Sequence, residues 1–455
     1  MSLTSSNPTN GKFIKTYKAH SVKQVNDGIE QANKAWINWK DKTIEQRSFL
    51  MHQAALILLK RKNELAKLMA LEMGKPLSGG LAEIEKCAAV CTYYAENTKT
   101  ILQNEYITTE ASKSYVSFQP LGVILAIMPW NFPFWQVFRF LAPALMAGNC
   151  AVLKHASNVT GCGLAIEDIM RDAGFPTSVF QTLLIGSDEI ASVIENPRIK
   201  AVTFTGSTNA GRKIAEKAAS QLKKVVLELG GSDPYIILHD ADLELAAETC
   251  VNSRLINSGQ SCIAAKRFIV LKSVLKEFTR LFQEKMAAKV MGDPLASDTD
   301  IGPQARKDLR DQLHQQVLKS IAAGAVCLLG GEIPDGDHAF YAPTILTNVK
   351  KGMPAYDEEL FGPVAAIISA SDEWDAIRMA NDTVFGLGAA IFTSDVIKGE
   401  ELATHLLQAG SCFVNSQVMS DPRLPFGGIK QSGYGRELGS YGIKEFTNIK
   451  TVYIK

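Results

Sequence analysis

The run Leu121-Gly-Val-Ile-Leu-Ala-Ile-Met128 leads into Pro129-Trp-Asn-Phe-Pro133 and then Phe134-Trp-Gln-Val-Phe-Arg139, and this passage decides the fold class. Residues 123–127 form a short apolar run of the kind that fills a buried strand. The pattern recurs downstream. Apolar segments at 150–153, 180–184, 201–204 and 225–227 alternate with helical stretches near 160–172, 188–195 and 208–221. Strand–helix alternation implies a parallel sheet covered by helices. Such sheets bind ligands beyond the carboxyl ends of their strands. Pro129-Trp-Asn-Phe-Pro133, Lys154-His-Ala-Ser157 and Thr205-Gly-Ser-Thr208 all fall at such ends.

Upstream, the first hundred residues read as helices. Apolar spacings of three and four mark 22–39 and 44–73, and Gly74-Lys-Pro76 stops the second. A third helix is expected over 81–103. Ser114-Tyr-Val-Ser-Phe118 and the terminal Thr451-Val-Tyr-Ile-Lys455 alternate as half-buried strands do. They can pair with each other or with another subunit. Downstream of Gly231 a second α/β block is expected, with strands near 235–238, 268–271, 325–328, 364–368, 389–392 and 412–415. The glycine-rich Pro425-Phe-Gly-Gly-Ile-Lys-Gln-Ser-Gly-Tyr-Gly-Arg436 is a loop by composition and is expected to return the chain to the first block.

A chain of 455 residues exceeds one ordinary core, so two or three domains are expected. Forty-eight basic side chains face 47 acidic ones, a balance without the footprint of a nucleic-acid or anionic-membrane partner. The longest apolar run, 121–128, is far too short to span a bilayer. The first residues lack the basic and apolar regions of a secretion signal. A cytoplasmic protein is expected. Its eight cysteines lie singly along the chain and should be reduced thiols. Cys87 and Cys91, four apart, fit a helix face in the core, and no metal site is expected.

Chemistry concentrates at Asn257-Ser-Gly-Gln-Ser-Cys262 and Leu227-Glu228-Leu-Gly-Gly231. A free cysteine is usually a small buried hydrophobe. Here its neighbours are small or polar and suit a turn, which favours an accessible nucleophile. Glu228, between Leu227 and Leu229, is a candidate buried base. No Gly-x-Gly-x-x-Gly follows an early strand. Phe204-Thr-Gly206-Ser207-Thr-Asn-Ala-Gly211 stands there instead, either a phosphate-binding helix N-terminus or a simple helix cap.

Taken together, Pro129–Pro133, Phe-Thr-Gly-Ser (204–207), Leu-Glu-Leu-Gly-Gly (227–231), Gly-Gln-Ser-Cys (259–262), Glu-Leu-Phe-Gly-Pro (359–363) and Pro-Phe-Gly-Gly-Ile-Lys-Gln-Ser-Gly (425–433) resemble the aldehyde dehydrogenase superfamily in order and spacing. The resemblance covers the whole chain. It implies a Rossmann-type cofactor domain (1–106 and 126–230, with part of 423–436), an α/β catalytic domain (231–422) and a small β oligomerisation unit (107–125 and 437–455). It also implies a homodimer or homotetramer acting on a small-molecule aldehyde. Cys262 would be the nucleophile, Glu228 the base that activates water on the resulting thioester, and Asn131 an oxyanion donor. Lys154 and Glu359 would hold the cofactor riboses, Phe361 would pack by the nicotinamide ribose, Trp130 would lie against the cofactor, and Gly206 and Ser207 would lie by the pyrophosphate. Many NAD-preferring relatives carry an acid three positions after the lysine. Ser157 stands there in this chain, so NADP is expected to be preferred, with NAD still accepted.

A helix starting near Asn131 would put Trp135 and Arg139 on one face. If that face lines the aldehyde site, Trp135 offers an apolar wall and Arg139 a fork for a carboxylate. This and the resemblance of 121–139 to the succinate-semialdehyde dehydrogenase branch point to succinate semialdehyde. Ser420 is a second candidate polar contact. The alternative for Arg139 is a structural ion pair, which would leave a broad aliphatic or aromatic aldehyde oxidiser. Ala264 denies Cys262 a disulfide partner two residues on.

Overall fold

The computed structural model describes residues 2–336 and 338–455. Val123–Met128 is a strand with every residue buried. Cys150–His155 pairs parallel on one side of it and Ile199–Thr205 on the other. Phe180–Thr182 extends the first side and Lys224–Glu228 the second, so the parallel strands lie in the order third, second, first, fourth, fifth. The order reverses between Val123–Met128 and Ile199–Thr205. A doubly wound sheet opens its ligand crevice at such a reversal. Both strands end there in the two runs that carry Trp130, Asn131, Gly206 and Ser207. The glycine-rich loop does return to this block: Gly433–Tyr434 adds an antiparallel edge, with Gly433 opposite Glu228.

A second sheet of seven strands follows, in the order Val326–Leu329, Thr344–Thr347, Val364–Ala370, Arg267–Leu271, Pro234–Ile237, Gly388–Phe392 and Ser411–Val414. Only its first pair is antiparallel. Thr344–Thr347 was not expected from the sequence. At four residues, between Pro343 and the left-handed Asn348, it is too short to show a period. The two alternating segments near the middle and end of the chain pair with each other. Thr447–Ile454 runs antiparallel along Lys113–Pro120, with Glu105–Tyr106 on the far side.

Two helical expectations need correction. The chain begins with a hairpin, Ser2–Ser6 against Phe13–Lys18, rather than a helix. Leu3 and Ser5 face inward while Ser2, Thr4 and Ser6 face out, a two-residue period overlooked in a polar segment. The third helix spans Leu77–Ile101 and starts ahead of its glycines. A Cβ on Gly80 would lie 3.0 Å from Ala66 Cα, so the glycine lets this helix close onto Ile44–Met73 instead of breaking it. These helices and Val22–Trp39 pack on the first sheet in the largest apolar core. Cys87 and Cys91 are buried within it. Among the described residues no helix is long and apolar enough to cross a membrane, and no His, Cys, Asp and Glu cluster could hold a metal ion.

Candidate active site

The loop bearing Cys262 is shaped by its backbone. Past helix Leu243–Leu255, Asn257, Ser258 and Gly259 all adopt positive φ (53°, 55° and 77°). The third must be glycine, since a Cβ there would lie 2.2 Å from the Gly362 carbonyl carbon. Lys266 then gathers the turn: its buried ammonium donates to the carbonyls of Ser261 (2.9 Å), Cys262 (2.8 Å) and Ala264 (3.1 Å). The half-buried Cys262 is thus held by a cation on its own loop. Burial pushes its thiol up to about 12, with Arg139 and then Lys266 opposing. The resting thiol is therefore protonated and needs a base before it can attack.

Asn131 is tied to this loop from the opposite side. Its Nδ2 donates to the Gln260 carbonyl at 3.1 Å, and its own carbonyl accepts from Asn257 Nδ2 at 2.7 Å. An amide carries a second N–H, and Asn131 lines the cavity that Cys262 also lines. Buried side chains brace the segment. Glu83 accepts the Phe134 and Trp135 N–H groups at the start of helix Trp135–Met146, both at 2.9 Å, and pairs with Lys75. His155 Nε2 meets the Pro133 carbonyl at 2.9 Å, and burial lowers that imidazole to about 4, keeping it neutral.

Glu228 ends its strand 98% buried, since its exposure is 2%, and neither carboxyl oxygen has a hydrogen-bond partner among the described residues. Burial holds it well above the ordinary carboxylate range; Arg139 works against this and Glu437 adds to it. An unpartnered buried carboxyl is free to take up or release a proton.

Two cavities meet at Cys262, sharing it and Gln136. One, of about 260 Å³, holds Trp130, Asn131, Gly206, Ser207, Glu359 and Phe361. The Trp130 and Phe361 rings stand perpendicular at 5.8 Å. A Cβ on Gly206 would lie 2.5 Å from the Phe204 ring, and one on Gly230 would lie 2.5 Å from Glu359 Oε2. Ser207 caps helix Thr208–Ala219, whose free N–H groups suit a phosphate. A cleft of bare backbone, an anion-binding helix end and aromatic walls fits a dinucleotide. Lys154 and Ser157 lie outside this lining, at the end of the next-but-one strand from Gly206. Ser157 is exposed, and the Lys154 side chain has no ion pair or hydrogen bond among the described residues.

The second cavity, of about 390 Å³, brings together Trp135, Arg139, Ser420 and Cys262. Arg139 lines this cavity and is also tied into its wall. Its guanidinium is buried, pairs with Glu437, reaches Thr205 Oγ1 at 3.5 Å and stacks over Phe426 at 4.7 Å. Its partner lies 298 positions away, so the sequence held no sign of the pair. Ser420 instead accepts a hydrogen bond at 2.8 Å from Lys86, which also sits 4.3 Å over the Trp135 ring. Sequence reading missed Lys86, Gln136, Lys266 and Glu437. Of these only Lys266, four residues past Cys262, had a local signal.

Comparison with known proteins agrees with this architecture. The aldehyde dehydrogenase family model matches residues 1–452. A Synechocystis sp. protein named as a probable succinate-semialdehyde dehydrogenase (NADP+) is 49% identical over 454 residues, covering 100% of both chains. The Escherichia coli succinate semialdehyde dehydrogenase (NAD(P)+) is 44% identical, covering 98% of this chain and 96% of its own. The crystal structure of succinic semialdehyde dehydrogenase from Streptococcus pyogenes with NADP+ superposes with a TM-score of 0.97 at 36% identity, covering 99% of each chain.

Proposed function

This chain belongs to the aldehyde dehydrogenase family, and from that premise we propose that it oxidises succinate semialdehyde to succinate with NADP, NAD being the weaker acceptor. The observation that carries the reading is a single thiol at the junction of two cavities, one suited to a dinucleotide and one to a small aldehyde.

Cys262 Sγ, once deprotonated, bonds to the aldehyde carbon, and the carbonyl oxygen takes the negative charge. Asn131 Nδ2–H and the Cys262 N–H stabilise that oxygen. A donor so placed lowers the barrier by about 3–4 kcal/mol. When bound, the nicotinamide supplies the two-electron acceptor. The acyl group is left on sulfur, and Glu228 takes a proton from the water that releases it as the acid. Because burial raises the Glu228 carboxyl, turnover should climb with pH as it ionises, and that rise should lie above the usual carboxylate range.

Gly206, Ser207, Glu359, Phe361 and Trp130 would hold the cofactor, with Lys154 and Ser157 toward its adenosine end. Ser157 supports NADP because an acid there would repel a 2′-phosphate. The names of the Synechocystis and E. coli relatives and the cationic lining of the larger cavity support an acid aldehyde. The eight free thiols support a cytoplasmic setting. A homodimer or homotetramer would form through the edge strand Thr447–Ile454, which exposes Ile449, Tyr453 and Ile454. The test is kcat/KM for succinate semialdehyde and for butanal, each with NADP and then NAD. A marked preference for the acid aldehyde with NADP is expected. Equal values for the two aldehydes would leave a broad-specificity aldehyde oxidiser.

A further inference from the structure

Three carbonyl oxygens of the nucleophile's turn, those of Ser261, Cys262 and Ala264, converge on one point, and the Lys266 ammonium occupies it at 2.9, 2.8 and 3.1 Å. An ammonium has three N–H donors and no acceptor, so these bonds use all of them. A neutral amine has two, and its lone pair would face the third carbonyl. The site therefore holds the side chain charged. Glu359 Oε1 faces the ammonium at 3.7 Å and accepts the Gly231 N–H at 3.0 Å. Asp233 and Arg254 are the other charged groups packed about Lys266, and the Asp233 carbonyl accepts the Lys266 backbone N–H at 3.1 Å. Close packing completes the arrangement, since a Cβ on Gly231 would lie 2.7 Å from the Cys262 carbonyl oxygen.

The same peptide units act on the cavity through their other edge. In a trans peptide the C=O of one residue and the N–H of the next point in opposite directions. Drawing the Ser261 oxygen to Lys266 therefore turns the Cys262 N–H away from the ammonium, and Ser261, Cys262 and Ile263 all line the larger cavity. That N–H donates to no described residue. We propose that Lys266 is the positioning residue of the oxyanion site: by fixing the Ser261 carbonyl it keeps the Cys262 N–H aimed at the oxygen of the attacked carbonyl. The assignment rests on the thiol chemistry proposed above and deepens it.

A positive charge behind the peptide also polarises its N–H, which strengthens the donor that it aims. Lys266 acts on the thiol as well. Burial pushes Cys262 up, Arg139 and then Lys266 oppose this, and Glu359 and Glu228 add to it. That action sets how much thiolate is present, whereas positioning sets what the thiolate meets once it attacks. The two are separable, because a reaction that forms no oxyanion feels only the first.

The experiment compares two reactions of Cys262 in the cofactor-free enzyme. Iodoacetamide alkylates the thiolate by displacing iodide at a saturated carbon, with no oxyanion, and is read from the mass of the Cys262 peptide. With p-nitrophenyl acetate the sulfur bonds to the acetyl carbon and the carbonyl oxygen takes the charge. p-Nitrophenolate then leaves with the electron pair of the broken C–O bond. Its first-turnover release is counted only where Cys262→Ala abolishes it. Both reactions need the thiolate, so a change in thiol acidity cancels in the ratio of acetylation to alkylation. Lys266→Met removes all three donors and is expected to lower that ratio roughly 10- to 100-fold, less than the full loss of a donor because the N–H is misaimed rather than absent. Lys266→Gln keeps two neutral N–H donors and is expected to fall in between; it carries the test if the methionine variant does not fold. A folded variant that keeps the wild-type ratio, whether its two rates fall together or not at all, overturns the role of Lys266 only. A wild type that Cys262→Ala leaves unchanged toward the ester overturns the thiol chemistry and this assignment with it.

Discussion

The two cavities that share Cys262 are built by different means. The smaller is lined on one side by short runs that follow sheet strands, where its shape comes from backbone: glycines at 206 and 230, and a capped helix N-terminus. The larger is assembled from side chains on remote elements; Lys86 and Ser420 meet across 334 positions. A cavity made of backbone needs particular residues in particular local order, so it leaves motifs. One made of side chains needs only the right groups in space. The chemistry common to a family can thus be read along the chain, whereas the choice of substrate depends on packing.

The junction should respond most strongly. Asn131→Ala is expected to lower kcat by about 10²–10³ for acid and neutral aldehydes alike, measured in steady state. A loss confined to one substrate would place Asn131 in the specificity wall and blur the division. The wall itself is tested by Glu437→Gln, which leaves the Arg139 charge buried without its carboxylate. Removing one partner of such a pair costs about 3–5 kcal/mol, read from urea unfolding. Unchanged stability would mean that Arg139 is not committed to Glu437 and is free to act as a fork. The smallest effect is expected at the cofactor rim. Ser157→Glu should cut the NADP-to-NAD ratio of kcat/KM by roughly tenfold, since an exposed carboxylate repels the extra phosphate through screening solvent. No change would place the 2′-phosphate away from this turn.

Legibility followed the same line. The strands of the first sheet and the helices Val22–Trp39 and Ile44–Met73 were readable because each carries its own period or apolar run. The opening hairpin was not, since its inward face includes Ser5, a polar residue that hides the alternation. The Leu77–Ile101 helix starts earlier than its pattern suggests because Gly79 and Gly80 look like breakers until Ala66 is seen against Gly80. Cys262, Glu228 and Asn131 stood out as motifs. The capture of Arg139 by Glu437 did not.

The sequence by itself determined the sheet-and-helix alternation, the thiol with its buried acid, and the runs that end at the crevice. These depend on local periodicity and on residues adjacent in the chain. Only the tertiary structure decided that Cys262 lies between two cavities, that Arg139 is paired with Glu437, and that Lys86 meets Ser420 over the Trp135 ring. Charge compensation is set by distance in space, and a chain folded through two large sheets brings together partners that no local pattern connects.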